Sequence, residues 1–406
     1  MILQKISIKK NWIIECLTLI TIFTFLLPGE LRYGIFGRQL GLINYISLTL
    51  VLYIALRKIK QINLCFVIFY FITVIYYLTS ALFYEKSIGT IIVVLGSYFL
   101  PLILIGLKIN KKNFEKFFNI FLKIFNAIVI CIVVLGILDF FLNYRIIRSF
   151  SFLLSSRTEE LIEIQSGREI YRLYSFMGHP LYNTQLFLMF YVLNMLKHKY
   201  YVNTLKIKYI LIISLIGIAL TASKTGIILL GVLLLIFNSG KQNYKYYCIV
   251  ISILLTSFFL GVFDNTLLRL STGSLTTGRN EIWKTISQNN LYPFKYFTGY
   301  GHSFTYYYNK IIPWASAAFE YPIRMFSLEL GIINTLLIYF FIFIYPMSCL
   351  LKGREWRLLV GYLIVFIDVN TYNGLSNPGD NMLVLSLFIF IILNIQVHSK
   401  YNKVKQ

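Results

Sequence analysis

The sequence predicts an all-α polytopic membrane protein, a single helical domain over residues 1–406 with about twelve transmembrane helices and one large water-facing loop late in the chain. Three observations carry that expectation. Hydrophobic residues make up 58% of the chain and charged residues 13%, against about 45–50% and 25% in an average soluble domain, and the mean hydropathy is +0.71. The apolar residues fall in runs close to the roughly 20 residues that a helical span needs. The stretch from Asp264 to Arg324 breaks this pattern with LSTGSLTTGRNEIWKTI, FTGYGHSF and AAFEYPIR.

In chain order the apolar runs place spans at 12–28, 40–56, 62–84, 88–107, 119–143, 180–196, 208–222, 225–238, 245–263, 325–351, 356–373 and 380–397. The first follows basic residues and ends in LLPGELRYG without a small-residue cleavage site, so it reads as a retained helix. The run 225–238 is short for a span, and a re-entrant hairpin around Ser223 would leave the remaining topology unchanged. The large loop, 264–324, lies between the ninth and tenth helices.

The net charge of +22 does not point to nucleic acid, because the lysines and arginines cluster in short connectors between apolar runs. There they act as topology signals and meet anionic lipid headgroups. With the N-terminus cytoplasmic, the inside segments hold 22 Lys and Arg, whereas the short outside loops 28–39, 85–87, 223–225 and 371–379 hold 4. Both termini are therefore expected in the cytoplasm. Two outside segments exceed mere connectors, 144–179 and 264–324. The first carries SSRTEELIEIQSGREIYRLYSFMGHP, which suits a surface helix framing a site or, equally, a solvated lid without chemistry. Cys16, Cys65, Cys131, Cys248 and Cys349 sit in or beside apolar runs with no CxxC spacing, so neither a disulfide nor a metal site is expected.

Several residues have chemistry to offer. Lys224, in LTASKTGIILLGVL, would cost about 2.5–3.5 kcal/mol at a helix centre, so it belongs at the outer boundary, facing anionic groups or snorkelling to headgroups. TTGRNEIW reads as a turn into a short helix, with Thr276 or Thr277 as cap. Arg279 at such a helix start could grip a diphosphate bidentately, or simply pair with Glu281. In GYGHSF, Gly299 and Gly301 permit close backbone approach and His302 can titrate, but the segment lacks the third glycine and the strand-to-helix setting of a dinucleotide site. His179 stands at the mouth of the sixth span. Glu15, Asp139, Glu329 and Asp368 are acids in or near spans, where charge is costly and often functional. No Walker A sequence, HExxH or GxSxG is present, which sets aside ATP-driven transport and common hydrolase chemistry.

SKTG after the seventh span, TGRNEIW, GYGHSF and SLELGIINTLL opening the tenth span, all set around one outer loop, resemble the O-antigen ligase and Wzy-type polysaccharide polymerase superfamily. The resemblance covers roughly the second half of the chain, from SFMGHP onward. It implies a metal-independent, cofactor-free integral-membrane glycosyltransferase of the bacterial cytoplasmic membrane. Its donor and acceptor would be undecaprenyl-diphosphate-linked oligosaccharides, with a flippase and a chain-length regulator as further protein partners. Lys224 and Arg279 match the family's basic positions and would hold the donor diphosphate, with Arg324 on the same loop. Two departures stand out: Lys224 replaces an arginine, and the ligase-type histidine-asparagine motif reads EYPIRMFSLELG, placing Glu320 where the histidine would be. This favours the polymerase branch over the ligase.

The group that activates the acceptor hydroxyl would be Glu320 or His302. Glu320 is preferred, because it holds the histidine's position and Pro322 interrupts any regular helical pairing with Arg324. The rival readings are an O-antigen ligase-type glycan transferase and a lipid-linked oligosaccharide flippase or transporter. Against transport, polar residues are concentrated in the outer loop and not between helices.

Overall fold

The structure is a computed structural model that describes residues 12–85, 87–168, 170–201, 205–237, 279–288, 292–305 and 321–403. It is 80% helical, and the described residues contain no strand. In a chain this apolar that outcome follows from the bilayer, since a helix satisfies its own backbone hydrogen bonds where no water can. Among the described residues, five helices are long and apolar enough to cross a membrane, six if one bent pair counts as a single span.

The first two helices form that bent pair. α1 (Trp12–Phe25) and α2 (Gly29–Gly41) meet at 74°, where Pro28 cannot continue the first helix and its carbonyl accepts the Arg32 N–H to open the second. Segment 28–39, expected as a loop, is thus mostly helical. α3 (Tyr45–Lys58) and α4 (Leu64–Ala81) follow, each opened by an asparagine cap, Asn44 and Asn63. α4 leaves Leu64, Ile68, Phe69, Phe71, Ile72 and Ile75 exposed along its length, a face suited to lipid. α5 (Ile88–Gly106) loosens into a π turn and then a tighter turn where Pro101 enters. α6 (Lys111–Phe141) is the longest described helix.

Between α6 and the next long helix, the expected outer segment holds α7 (Arg145–Phe150) and α8 (Ser156–Ser166), the latter capped by Ser155. α9 (Pro180–Tyr200) buries nearly every side chain from Asn183 to Lys197. α10 (Ile207–Thr221) and α11 (Lys224–Phe237) meet at a tight corner where Ala222 is left-handed. After α12 (Arg279–Gln288) come α13 (Pro322–Glu329), α14 (Ile332–Gly353), α15 (Trp356–Val369) and α16 (Asn381–Lys403). The expected 325–351 span starts instead at Ile332. Gly331, at φ +90, breaks the apolar run, because the left-handed region suits glycine and ends the preceding helix. The core lies around α9 and α16, and α16 is 94% buried across its apolar window.

Contacts sort the connectors into two ends. At one, Ile109 N–H donates to Asn394 Oδ1 at 3.2 Å, His398 Nε2 lies 3.0 Å from the Ile109 carbonyl, and Tyr200 donates to Glu355 at 2.7 Å. At the other, 28–44, 85, 153–158, 173–179, 295–305 and 371–381 touch one another. The second group contains parts of segments expected outside, among them 28–39, 144–179 and 371–379.

Candidate functional site

The site is built at the end where α1 turns into α2. The elbow at Pro28 points Glu30 and Arg32 in different directions. Arg32 forks onto Asp380, Nη1 to Oδ2 and Nη2 to Oδ1 both at 2.8 Å, and also donates to the Leu27 carbonyl. Asp380 directly precedes α16, so a bidentate, charge-assisted pair ties the first helices to the last. Both side chains are nearly buried. Glu30 instead accepts from Ser155 Oγ at 2.5 Å and Thr158 Oγ1 at 2.8 Å, which fixes the start of α8.

From the far side comes the GYGHSF segment. Its backbone docks on the break between α13 and α14: Tyr300 N–H donates to Leu328 O at 2.8 Å and Gly301 N–H to Glu329 O at 3.1 Å, while Ile332 N–H donates to Lys295 O at 3.0 Å. Gly299 is required here, because a Cβ would stand 1.9 Å from the Glu329 carbonyl oxygen. The close approach that these glycines allow is therefore between two stretches of this chain.

That docking delivers His302 to two carboxylates. Its backbone N–H donates to Glu85 Oε1 at 2.7 Å, and its ring Nδ1 lies 3.5 Å from Glu329 Oε2. Glu329 is held by Thr305, whose hydroxyl donates at 2.6 Å and whose N–H donates at 3.3 Å, both to Oε1. The two side chains are 10% and 4% exposed. A histidine backed by a fixed, buried carboxylate has the parts of a general base, with 3.5 Å looser than a tight hydrogen bond.

His302 and Glu329 open onto a cavity of about 430 Å³, also lined by Glu30, Arg157, Tyr182 and Asp380. Asn377 and Asn381 line it beside Tyr182. The lining thus mixes carboxylates, amides, hydroxyls and aromatic rings, groups that can bind the hydroxyls and apolar faces of a sugar. Among the described residues no three His, Cys, Asp or Glu side chains group as a metal site would need.

Of the other expected site residues, Lys224 and Arg324 are not among those that line this cavity. Lys224 opens α11, half-buried, next to Ser223, whose hydroxyl accepts from Gly226 N–H at 3.1 Å. Arg324 sits over the rings of Trp283 at 4.8 Å and Tyr321 at 4.6 Å, and donates to Asn280 at 3.0 Å, which brings α12 against α13. Partial burial lowers its proton affinity from the ordinary arginine value. Arg279 begins α12, as the TTGRNEIW pattern suggests, but its side chain lies outside the described residues, as do Glu320 and the caps Thr276 and Thr277.

His179 caps α9 by accepting from Leu181 N–H at 3.2 Å. Of the acids near spans, Asp139 accepts from Ile147 N–H and Tyr171 OH, Asp368 is buried with no hydrogen-bond partner at Oδ2, and Glu15 is exposed. The sequence marks Glu329 by its burial cost and sets it one turn beyond Arg324, whereas in the structure its neighbours are Thr305 and His302. No local pattern singles out Glu85, Arg32 or Asp380, nor Arg157, the one lysine or arginine among the described lining residues. No protein-family model, curated protein or solved structure matches this chain.

Proposed function

We propose that the chain is a Wzy-like polymerase of capsular, exopolysaccharide or O-antigen repeat units, working on the outer face of the bacterial cytoplasmic membrane, with about twelve spans and both termini in the cytoplasm. The observation that supports this most is His302, backed by Glu329, facing a polar cavity at the end where the outer segments gather. A sugar hydroxyl is a weak nucleophile. His302 takes its proton as the hydroxyl oxygen bonds to the anomeric carbon of the donor glycan, and the bond from that carbon to the undecaprenyl diphosphate breaks. Lys224, Arg279 and Arg324 are the cations assigned to the leaving diphosphate, doing electrostatically what a metal does elsewhere. An O-antigen ligase-type transfer to a different acceptor is the alternative within enzymes, and a lipid-linked oligosaccharide flippase the one outside them.

Purified protein given its lipid-linked repeat unit should form a ladder of longer lipid-linked glycans, undiminished by EDTA. Arg279→Lys should lose most of this activity although charge is kept, since bidentate phosphate recognition needs the guanidinium fork. A full ladder from Arg279→Lys and Arg279→Ala would remove that residue from diphosphate binding.

Topology follows from the charge bias and is testable directly. In a cysteine-free background, Glu163→Cys on α8 should react with a membrane-impermeant thiol reagent in intact cells, and Gln61→Cys should not. Both positions are exposed. The reverse pattern would invert the orientation.

A further inference from the structure

A second pocket, of about 230 Å³, lies between α6 and the chain from α7 to Leu154, and carbon surrounds it almost completely. Leu135 and Ile132 of α6, Ile146 and Phe150 of α7, and Leu154 and Leu173 form its sides. Asp139, the carboxylate beside it, is occupied within the protein by Ile147 N–H at 2.9 Å and Tyr171 OH at 3.1 Å. The pocket opens sideways. Leu135 and Phe150 on its rim are 37% and 53% exposed, and neighbouring Leu138 and Phe152 are 48% and 67% exposed, so the mouth continues the lipid-facing surface of a spanning helix.

What distinguishes this pocket from an ordinary lipid crevice is its back wall. Consecutive residues line it and the polar cavity by turns: Leu31 faces the pocket and Glu30 the cavity, Leu154 the pocket and Ser155 the cavity, Phe176 the pocket and Met177 the cavity. Beside this wall the backbones of α2 and Leu153 pack closely, since a Cβ on Gly34 would stand 2.1 Å from the Leu153 carbonyl oxygen. Arg157 lies on the cavity side, three residues past Leu154. An apolar slot open to the bilayer and a polar chamber with an arginine therefore share one short stretch, 153–157. Such a pair of spaces fits an amphiphile with an anionic group at the junction between chain and head.

We infer that the apolar pocket is the subsite for the isoprenoid chain of a lipid phosphate, whose phosphate lies against Arg157 at the edge of the neighbouring cavity. This rests on the reading of both substrates as lipid-linked glycans, and it assigns a place to the acceptor's lipid, Lys224, Arg279 and Arg324 being assigned to the donor's diphosphate. Apolar burial supplies the chain's affinity in proportion to the area removed from water, and the guanidinium supplies recognition of the phosphate.

The test is photolabelling of the full chain in nanodiscs by a farnesyl phosphate that carries a diazirine on its terminal isoprene unit. Label should fall on 132–138 and 146–154, be displaced by unlabelled undecaprenyl phosphate and not by phosphatidylglycerol, and drop at least fivefold in Ile146→Trp, which fills the pocket. Arg157→Ala should weaken displacement by undecaprenyl phosphate at least tenfold. If Ile146→Trp does not fold, as judged by size exclusion, Leu135→Trp at the rim replaces it. Label that phosphatidylglycerol displaces equally well would show an ordinary lipid crevice, and label elsewhere would overturn the assignment just as firmly. Because labelling needs no turnover, it can succeed while the polymerase reading fails, or the reverse.

Discussion

Replacing His302 with alanine should lower polymer formation about 10²–10⁴-fold, the usual contribution of a positioned base, with the protein still abundant and folded. The ring reaches its place through backbone contacts of Tyr300 and Gly301, which the substitution leaves intact. Glu329→Gln should give a smaller loss, because it keeps a partner for Thr305 while removing the charge behind the ring. The double variant should be little worse than His302→Ala alone, since residues that act as a unit are not additive. A mild His302→Ala defect beside a severe one in Glu320→Gln would transfer the base role to Glu320.

The second large effect is on stability. Asp380→Ala should destabilise the protein by about 3–5 kcal/mol, the usual consequence of leaving one member of a buried pair uncompensated, and Arg32→Ala should do comparable damage by orphaning Asp380. The two share one interaction, so Arg32→Met with Asp380→Leu should be more stable than either alanine variant. Thermal unfolding of the purified protein in detergent measures all three. Additive losses in the double variant would mean that the pair does not couple the first helices to α16.

The contrast between these two sites shows what could be read in advance. Spans such as Lys111–Phe141 and Asn381–Ser399 announce themselves by length and hydropathy, and the bias of Lys and Arg assigns each connector an expected side. α2 escaped because GELRYGIFGRQLG is neither apolar enough for a span nor patterned for a surface helix. The break at Gly331 escaped because SLELGIINTLL keeps its hydropathy through the glycine. His302 could be named as a titratable group beside two glycines, but not its partners: Glu329 is 27 residues away, and Glu85 is 217 residues away. Arg32 and Asp380 are 348 positions apart, and nothing local in either segment signals a buried ion pair. Lys224 and Arg324 were chosen by motif and loop, whereas Arg157 enters the cavity only because Ser155 caps α8 against Glu30.

The most direct test of the central claim is the state and sidedness of lipid-linked glycan in cells lacking this protein. The account predicts single repeat units on undecaprenyl diphosphate, accumulated at the outer face of the cytoplasmic membrane and accessible to a glycosidase added to spheroplasts. Long lipid-linked chains at that face would instead mark a ligase, and single units confined to the inner face a flippase; either result would contradict the polymerase.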